Sequence, residues 1–237
     1  MNKVIFGYPR SATKLLANIY VQNGYYNFGE LFDTYSSTLI NDPPRAVRAS
    51  VRDQYKRRES KSRFADDFQR TYIIQQRCAL LKQCAEKNIV TLWWDNISHY
   101  PPLLSALSDR QFLCTRRQDR FEQLLSRSVT YYNANYNDEV TSRKVHIDTN
   151  LFEHFYYELR KTELIQQQIV NSGAGIWVDF DQLVTGAVDF GFDYKIQSTD
   201  QHDDVRALVS NVEEIKNKFI FLKSVDSTIK KDIYCTY

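Results

Sequence analysis

The sequence predicts an α/β protein in which helices flank a parallel sheet. Three apolar runs rich in β-branched and aromatic residues predict strands, at residues 4–6, 89–94 and 111–114. A segment with helical spacing of apolar residues follows each run. Strands that alternate with helices pair in parallel, because each helical crossover returns the chain to the same end of the sheet.

The first half of the chain supplies most of these elements. Apolar side chains at Leu15, Leu16, Ile19 and Tyr20 have helical spacing and predict the first helix. An aromatic-rich loop is expected over residues 25–40. The elements that follow are a helix over residues 65–87, the strand at 89–94, and a short helix that begins after Pro101 and Pro102.

The second half continues the alternation. Asp148 or Thr149 is expected to cap the clearest helix of the chain, and Gly173 and Gly175 are expected to end it. Beyond about residue 186 the pattern is weak. The predicted elements are the strand at 111–114, a helix through 121–129, a polar loop over 130–147, the capped helix at 149–170, and a strand at 176–180.

Length and composition fit one globular domain. The chain has 237 residues, of which 43% are hydrophobic and 25% charged, and its longest apolar runs are too short to span a bilayer. The first residues lead directly into a strand, so we expect no signal peptide and a cytoplasmic protein. Cys78, Cys84 and Cys114 have apolar neighbours and no metal-ligand spacing, which is typical of reduced core cysteines.

A basic insertion is predicted at about residues 41–64 of this single domain. Residues 43–63 contain eight basic residues and two acidic ones, and they begin with two prolines. We expect an exposed, partly helical segment that faces an anionic partner, with a solvated helix face as the alternative. Nucleic-acid binding stays open on this segment, but a net charge of +2 is weak support for it.

The segment from Gly7 to the first helix is the most informative part of the sequence. A strand that ends in a tight loop and a helix N-terminus directs several backbone N–H groups and the positive end of the helix dipole at one point. Arg10 and Lys14 add charge there, and Ser11 and Thr13 add hydroxyl groups. The arrangement suits a phosphate or a phosphosulfate. It is not a Walker A motif, because the lysine comes one residue late.

This loop resembles the 5′-phosphosulfate loop of sulfotransferases, usually written P-[KR]-S-G-[TS]-[TS]. Ala12 stands at the place of the usual glycine, and Lys14 replaces the second hydroxyl residue. The resemblance implies a P-loop-containing, sulfotransferase-like sheet that binds 3′-phosphoadenosine 5′-phosphosulfate without a metal ion. The residues that it implies at the phosphosulfate are Arg10, Ser11, Ala12, Thr13, Lys14 and Leu15.

A second segment, residues 112–128, is similar to the 3′-phosphate segment of the bacterial sulfotransferases that sulfate sugars. An arginine-rich strand end is followed there by D-x-x-x-Q-x-x-S, which here is Asp119, Gln123 and Ser126. Guanidinium groups and a serine hydroxyl recognise phosphate well. The resemblance implies that Arg116 or Arg117, together with Ser126, holds the 3′-phosphate. Residues 177–183 are similar to the late strand motif Y-E-D-L of these families and are interpreted as structural.

Two residues are candidates for the general base. His99 follows a predicted strand within Ser98-His99-Tyr100-Pro101, which resembles the T-H-L-P segment of cytosolic sulfotransferases, where the histidine is the base. Histidine suits this role because its pKa lies near neutrality. Glu30, in the loop after the first helix, matches the glutamate assigned as base in the sugar-sulfating branch. We rank His99 first and Glu30 second.

These resemblances imply transfer of a sulfuryl group from the phosphosulfate donor to the hydroxyl or amine of a small-molecule or saccharide acceptor, with Arg10 among the catalytic residues. No membrane partner is expected. Two alternatives stay open at this point. One is a P-loop kinase of a nucleoside or small metabolite, and the other is a nucleotide-binding relative without catalytic activity.

Overall fold

The computed structural model describes residues 1–32, 74–75, 77–79, 81–84, 86–99, 101–136, 144–196 and 204–229. The predicted basic insertion at 41–64 lies outside these ranges. The chain divides into two compact units, the first formed by Met1–Arg116 with Thr162–Gln197 and the second by Arg117–Lys161 with Ser198–Tyr237. The expectation of a single domain stays a prediction.

The first unit contains a five-stranded, all-parallel sheet flanked by helices. The predicted α/β class with a parallel sheet is therefore confirmed. The strand order is β2-β3-β1-β4-β5, and β1 pairs with β3 on one side and with β4 on the other. The strands are β1 (Lys3–Gly7), β2 (Tyr26–Asn27), β3 (Asn88–Leu92), β4 (Gln111–Arg116) and β5 (Gly175–Asp179).

Seven helices lie with both ends inside the described ranges. They are α1 (Thr13–Gln22), α2 (Trp94–His99), α3 (Leu103–Ala106), α4 (Arg120–Tyr136), α5 (Thr149–Asn171), α6 (Phe180–Val184) and α7 (Val212–Ile229), with a 3-10 helix at Val205–Leu208. Asp148 caps α5, because its carboxylate accepts hydrogen bonds from the N–H groups of Asn150 and Leu151. Gly173 follows the helix with a φ of 77°, as a C-terminal glycine often does.

Several boundaries differ from the sequence prediction. Tyr26 and Asn27 form an edge strand inside the expected aromatic loop. The predicted strand at 89–94 ends at Leu92, since Trp94 already begins α2. The expected loop over 130–147 starts later than predicted, because α4 continues to Tyr136. The weak pattern beyond residue 186 contains α7, an 18-residue helix.

The two faces of the sheet are covered by different elements. On one face, α1 packs with Ile5, Leu113 and Val178. On the other, Val4, Phe112 and Cys114 belong to a second cluster, which is completed by side chains that include those of Ile97, Leu103 and Ile169. The connection from β1 to β2 therefore crosses one face of the sheet. The connections from β3 to β4 and from β4 to β5 cross the other face.

This topology fixes the position of the loop after β1. The chain leaves β1 on one face of the sheet, whereas it leaves the neighbouring strands β3 and β4 on the opposite face. Such a reversal opens a crevice at the carboxyl ends of the strands, where ligands of open α/β sheets bind. The loop between Gly7 and α1 lies at that point.

The second unit is built around aromatic side chains. The ring of Phe121 lies 5.4 Å from that of Phe219 and 6.3 Å from that of Phe152, between ring centroids. Partly buried ion pairs join its helices, with Arg160 bonded to Asp226 and Lys218 to Glu153. In the ranges that the structure describes, no helix is long and apolar enough to cross a membrane.

Candidate anion-binding site

The site begins at Gly7, the last residue of β1, which tolerates no side chain. A Cβ atom placed there would lie 2.0 Å from Oγ1 of Thr115 and 2.8 Å from Oγ of Ser11. Thr115 is the partner of Gly7 in the pairing of β1 with β4. The absent side chain therefore lets the loop fold back over the end of β1 and lets the hydroxyl of Thr115 reach it.

The backbone of the loop is turned at two residues that are not glycine. Arg10 has a φ of 68° and Ala12 a φ of 62°, and in the described ranges they are the non-glycine residues with positive φ. Side chains other than that of glycine adopt this left-handed region at a cost, and such residues concentrate at functional sites. Turns of this kind direct successive N–H groups toward one concave surface, which is the geometry of many phosphate sites.

Helix α1 begins directly after this turn and has no side-chain cap. Ala12 occupies the N-cap position, no side chain accepts a hydrogen bond there, and the first turn contains no acidic residue. The first N–H groups of a helix have no partner inside the helix. Together with the positive end of the helix dipole, they form a favourable environment for an anion.

The side chains of the loop divide between the interior and the surface. Ser11 is 1% exposed and Thr13 6%, whereas Arg10 and Ala12 are half-buried and Lys14 is exposed. Leu15 is part of the apolar cluster beneath α1. Thr13 and Leu15 therefore offer an anion mainly their backbone, and Arg10 and Lys14 are the residues of the loop that carry charge.

Ser11 uses its hydroxyl inside the protein. Its Oγ donates a hydrogen bond of 2.6 Å to the carbonyl oxygen of Tyr8, and it lies 2.7 Å from Oγ1 of Thr115. This hydroxyl was predicted to contribute to anion binding. In the structure it holds the loop together, and its backbone N–H is the group that remains for a ligand.

A glutamine from α5 holds the strand ends beneath the loop. Nε2 of Gln166 donates to the carbonyl oxygens of Phe6, at 2.8 Å, and of Thr115, at 2.9 Å. Gln166 is 1% exposed. Both hydrogens of the carboxamide are thereby used, one on β1 and one on β4, which fixes the two strands side by side where the loop begins.

Arg116, the last residue of β4, has partners of its own in the first unit. Its Nε lies 3.4 Å from Oδ2 of Asp179, and its guanidinium lies 5.0 Å from the ring centroid of Trp177. Asp179 also accepts a hydrogen bond from the N–H of Asp181 and so caps α6.

In the same strand, burial raises the pKa of the Cys114 thiol to about 12, so this thiol stays protonated.

The remaining residues of the predicted 3′-phosphate segment belong to the second unit. Arg117 is half-buried there, and Gln123 and Ser126 are buried on α4, at 1% and 4% exposure. Asp119, which shares their helical spacing, accepts a hydrogen bond from the N–H of Glu122 and pairs with Arg206 at 3.7 Å. The 3′-phosphate assignment stays a prediction.

The segments that carry the two candidate bases are tied to the carboxyl end of β3. Glu30 is half-buried and lies just after Gly29, whose carbonyl oxygen accepts a hydrogen bond from the N–H of Thr91. Nδ2 of Asn96 donates to the carbonyl oxygen of Phe32, 3.1 Å away. His99 is the last residue of α2, the helix that follows β3, and its side chain lies outside what the structure describes.

Neither Thr115 nor Gln166 was predicted as a residue of this site. Thr115 is an ordinary threonine of a predicted strand end, and Gln166 is one of three consecutive glutamines in a long helix. Their roles depend on contacts 104 and 160 residues apart along the chain. The available signal for Thr115 was its position directly after the apolar run Phe112–Cys114, at the carboxyl end of the strand, where ligands of parallel sheets bind.

In the described part of the chain, no three His, Cys, Asp or Glu side chains group so that they could hold a metal ion. No protein-family model matches the chain, and a search of curated proteins finds no significant match.

Proposed function

We propose that this protein is a sulfotransferase-like enzyme that binds 3′-phosphoadenosine 5′-phosphosulfate and transfers its sulfuryl group to an acceptor hydroxyl or amine. The observation that carries the proposal is the loop after β1. Two non-glycine residues in left-handed conformation there precede an uncapped helix N-terminus, at the point where the connections of the sheet reverse.

The loop supports binding of the 5′-phosphosulfate through its backbone and through Arg10. Sulfuryl transfer in line resembles phosphoryl transfer, in which positioning and neutralisation of charge on the leaving phosphate supply most of the catalysis. In the proposal Arg10 and the N–H groups of residues 11–14 stabilise the leaving phosphate. The resemblance of the loop to P-[KR]-S-G-[TS]-[TS] gives the anion its identity as a phosphosulfate.

The ends of the strands beside β1 favour this proposal over a kinase. A P-loop kinase holds Mg²⁺ with an acidic residue that follows a strand next to the loop. Here β4 ends in Thr115 and Arg116, and Leu92 at the end of β3 is followed by two tryptophans before Asp95, the first acidic residue. A basic residue beside the loop suits a donor that carries negative charge without a metal ion.

The proposal includes a general base for the reaction. His99 is the first candidate to accept the proton of the acceptor, and Glu30 is the second. Loss of the true base would lower turnover by roughly 10²–10⁴-fold.

The free thiols of Cys78, Cys84 and Cys114 support the further proposal that the protein works in the reducing environment of the cytoplasm. A saccharide or another small molecule is the proposed acceptor.

Calorimetry with adenosine 3′,5′-bisphosphate tests the donor site directly. Wild-type protein should bind this compound, and Arg10→Ala should weaken binding by roughly 1.5–3 kcal/mol through loss of a charge-assisted contact. Lys195→Ala removes the same charge from an exposed position and serves as the matched control. Equal affinity of wild type and Arg10→Ala would remove Arg10 from the site.

Selectivity separates the proposal from its alternatives. Wild type should prefer the bisphosphate over 5′-AMP, and the double change Arg117→Ala with Ser126→Ala should narrow that preference. Equal binding of both nucleotides would contradict the 3′-phosphate assignment, and preference for ATP with Mg²⁺ would favour the kinase. Binding of the phosphosulfate donor without turnover on any acceptor would indicate a non-catalytic relative.

A further inference from the structure

We propose that Thr115 is a positioning residue of the anion-binding loop, which acts through Ser11 and touches no ligand itself. This inference rests on the proposed function, since it concerns the same loop. It starts from three residues that meet at the end of β1, namely Gly7, Ser11 and Thr115. Ser11 and Thr115 are 1% and 2% exposed, so their hydroxyl groups are sealed from solvent.

The directions of the hydrogen bonds follow from the number of hydrogens available. The hydroxyl of Ser11 has one hydrogen, and it points at the carbonyl oxygen of Tyr8, 2.6 Å away. The 2.7 Å contact between the two hydroxyl oxygens therefore uses the hydrogen of Thr115. Thr115 donates to Ser11, and Ser11 donates to Tyr8, so a chain of hydrogen bonds runs from the sheet into the loop.

This chain begins at a fixed point in the sheet. Thr115 pairs with Gly7 in the register of β1 and β4, and Gln166 binds the carbonyl oxygens of both Thr115 and Phe6. The hydroxyl of Thr115 also occupies the space that a side chain at position 7 would need. The position of Ser11 is thus set by the sheet rather than by the loop alone.

The residues on either side of Ser11 are the two with left-handed backbone, Arg10 and Ala12. A non-glycine residue stays in this conformation only where its surroundings hold it there. Because Ser11 is fixed between them by the hydroxyl chain, loss of the hydroxyl of Thr115 should release the turn. The N–H groups and the guanidinium of Arg10 would then lose their arrangement around the anion.

The test compares two substitutions at one position. Thr115→Ser keeps the hydroxyl and loses a methyl group, whereas Thr115→Ala loses both. We expect Thr115→Ser to bind adenosine 3′,5′-bisphosphate as wild type does in calorimetry, and Thr115→Ala to bind about tenfold more weakly. Thr91→Ala and Thr91→Ser are the matched controls, since Thr91 is a buried threonine of β3 paired with Ile5. Neither should change the affinity.

Hydrogen exchange gives a second measurement that needs no ligand. The amide of Leu16, which donates to the carbonyl oxygen of Ala12, should exchange faster in Thr115→Ala than in Thr115→Ser, while those of β4 stay protected. Ser11→Ala removes both the bond from Thr115 and the bond to Tyr8. It should therefore show both effects at least as strongly, and it decides the matter if Thr115→Ala does not fold.

The outcomes separate this inference from the proposed function. If wild type does not bind the bisphosphate, the proposed function fails, and faster exchange in Thr115→Ala still supports the positioning role. If Thr115→Ala equals Thr115→Ser in affinity and in exchange, the positioning role is overturned, whatever the ligand. Equal losses in the Thr91 variants would also overturn it, because they would show a general effect of threonine removal.

Discussion

The left-handed backbone at Ala12 leads to a prediction with an unusual sign, which is that Ala12→Gly should stabilise the protein. A residue with a Cβ atom pays roughly 1–2 kcal/mol in this conformation, and glycine avoids that cost. Two terms oppose the gain. Glycine loses about 0.5–1 kcal/mol more backbone entropy on folding, and the half-buried methyl group of Ala12, which packs against the cluster beneath α1, is lost.

The net gain is about 0.5 kcal/mol, which corresponds to a rise of about 1–2 °C in the melting temperature of a chain of this size. Ala17→Gly is the matched control, because Ala17 lies in the interior of α1 and is 4% exposed. That change should cost about 1.5–2 kcal/mol through helix propensity and lost burial.

Urea unfolding followed by circular dichroism measures both variants on one scale. The difference in the free energy of unfolding between the two variants is the most discriminating quantity, at about 2 kcal/mol in favour of Ala12→Gly. Bisphosphate affinity should be kept by Ala12→Gly, since the N–H groups remain in place. If Ala12→Gly is as destabilising as Ala17→Gly, the backbone at position 12 is not left-handed, and the loop does not turn its N–H groups toward one concave surface.

Two further predictions concern burial. Gly7→Ala should destabilise the protein by about 3 kcal/mol, measured by urea unfolding, because the new Cβ would lie 2.0 Å from Oγ1 of Thr115; a loss below about 0.5 kcal/mol would contradict the packing described. In a Cys235→Ser background, half-buried Cys84 should react with a thiol reagent at neutral pH well before Cys114. Burial raises the pKa of Cys114 to about 12, and mass spectrometry that finds Cys114 modified first would contradict this order.

The sequence predicted the central strands because buried parallel strands are continuous apolar runs. Residues 4–6 and 111–114 fall within β1 and β4, which pair with each other at the centre of the sheet. The strand β2 was missed because two residues at the sheet edge have no periodicity to detect. Helix α7 was missed because Ile215 and Leu222 are its buried apolar residues in the described ranges, too few for a clear amphipathic pattern.

The candidate site was likewise predictable only in part. The anion-binding loop could be predicted because strand, turn and helix N-terminus follow one another within a few residues. Its left-handed backbone at Arg10 and Ala12 was not visible, since neither residue type signals a positive φ. The contact of Ser11 with Thr115 joins residues 104 positions apart, and no local pattern predicts such a pair.

The two hydrogen bonds of Gln166 make its carboxamide irreplaceable by a carboxylate at neutral pH. Glutamate has nearly the same shape, but its ionised oxygens would face the carbonyl oxygens of Phe6 and Thr115, which now accept from Nε2. Burial would raise the pKa of such a glutamate, because the protonated form alone can donate to one of these carbonyls. Its contribution to stability would be present at low pH and lost as the pH rises through the folded-state pKa. A single-atom exchange from nitrogen to oxygen would therefore turn the junction of β1 and β4 into an acid-dependent one.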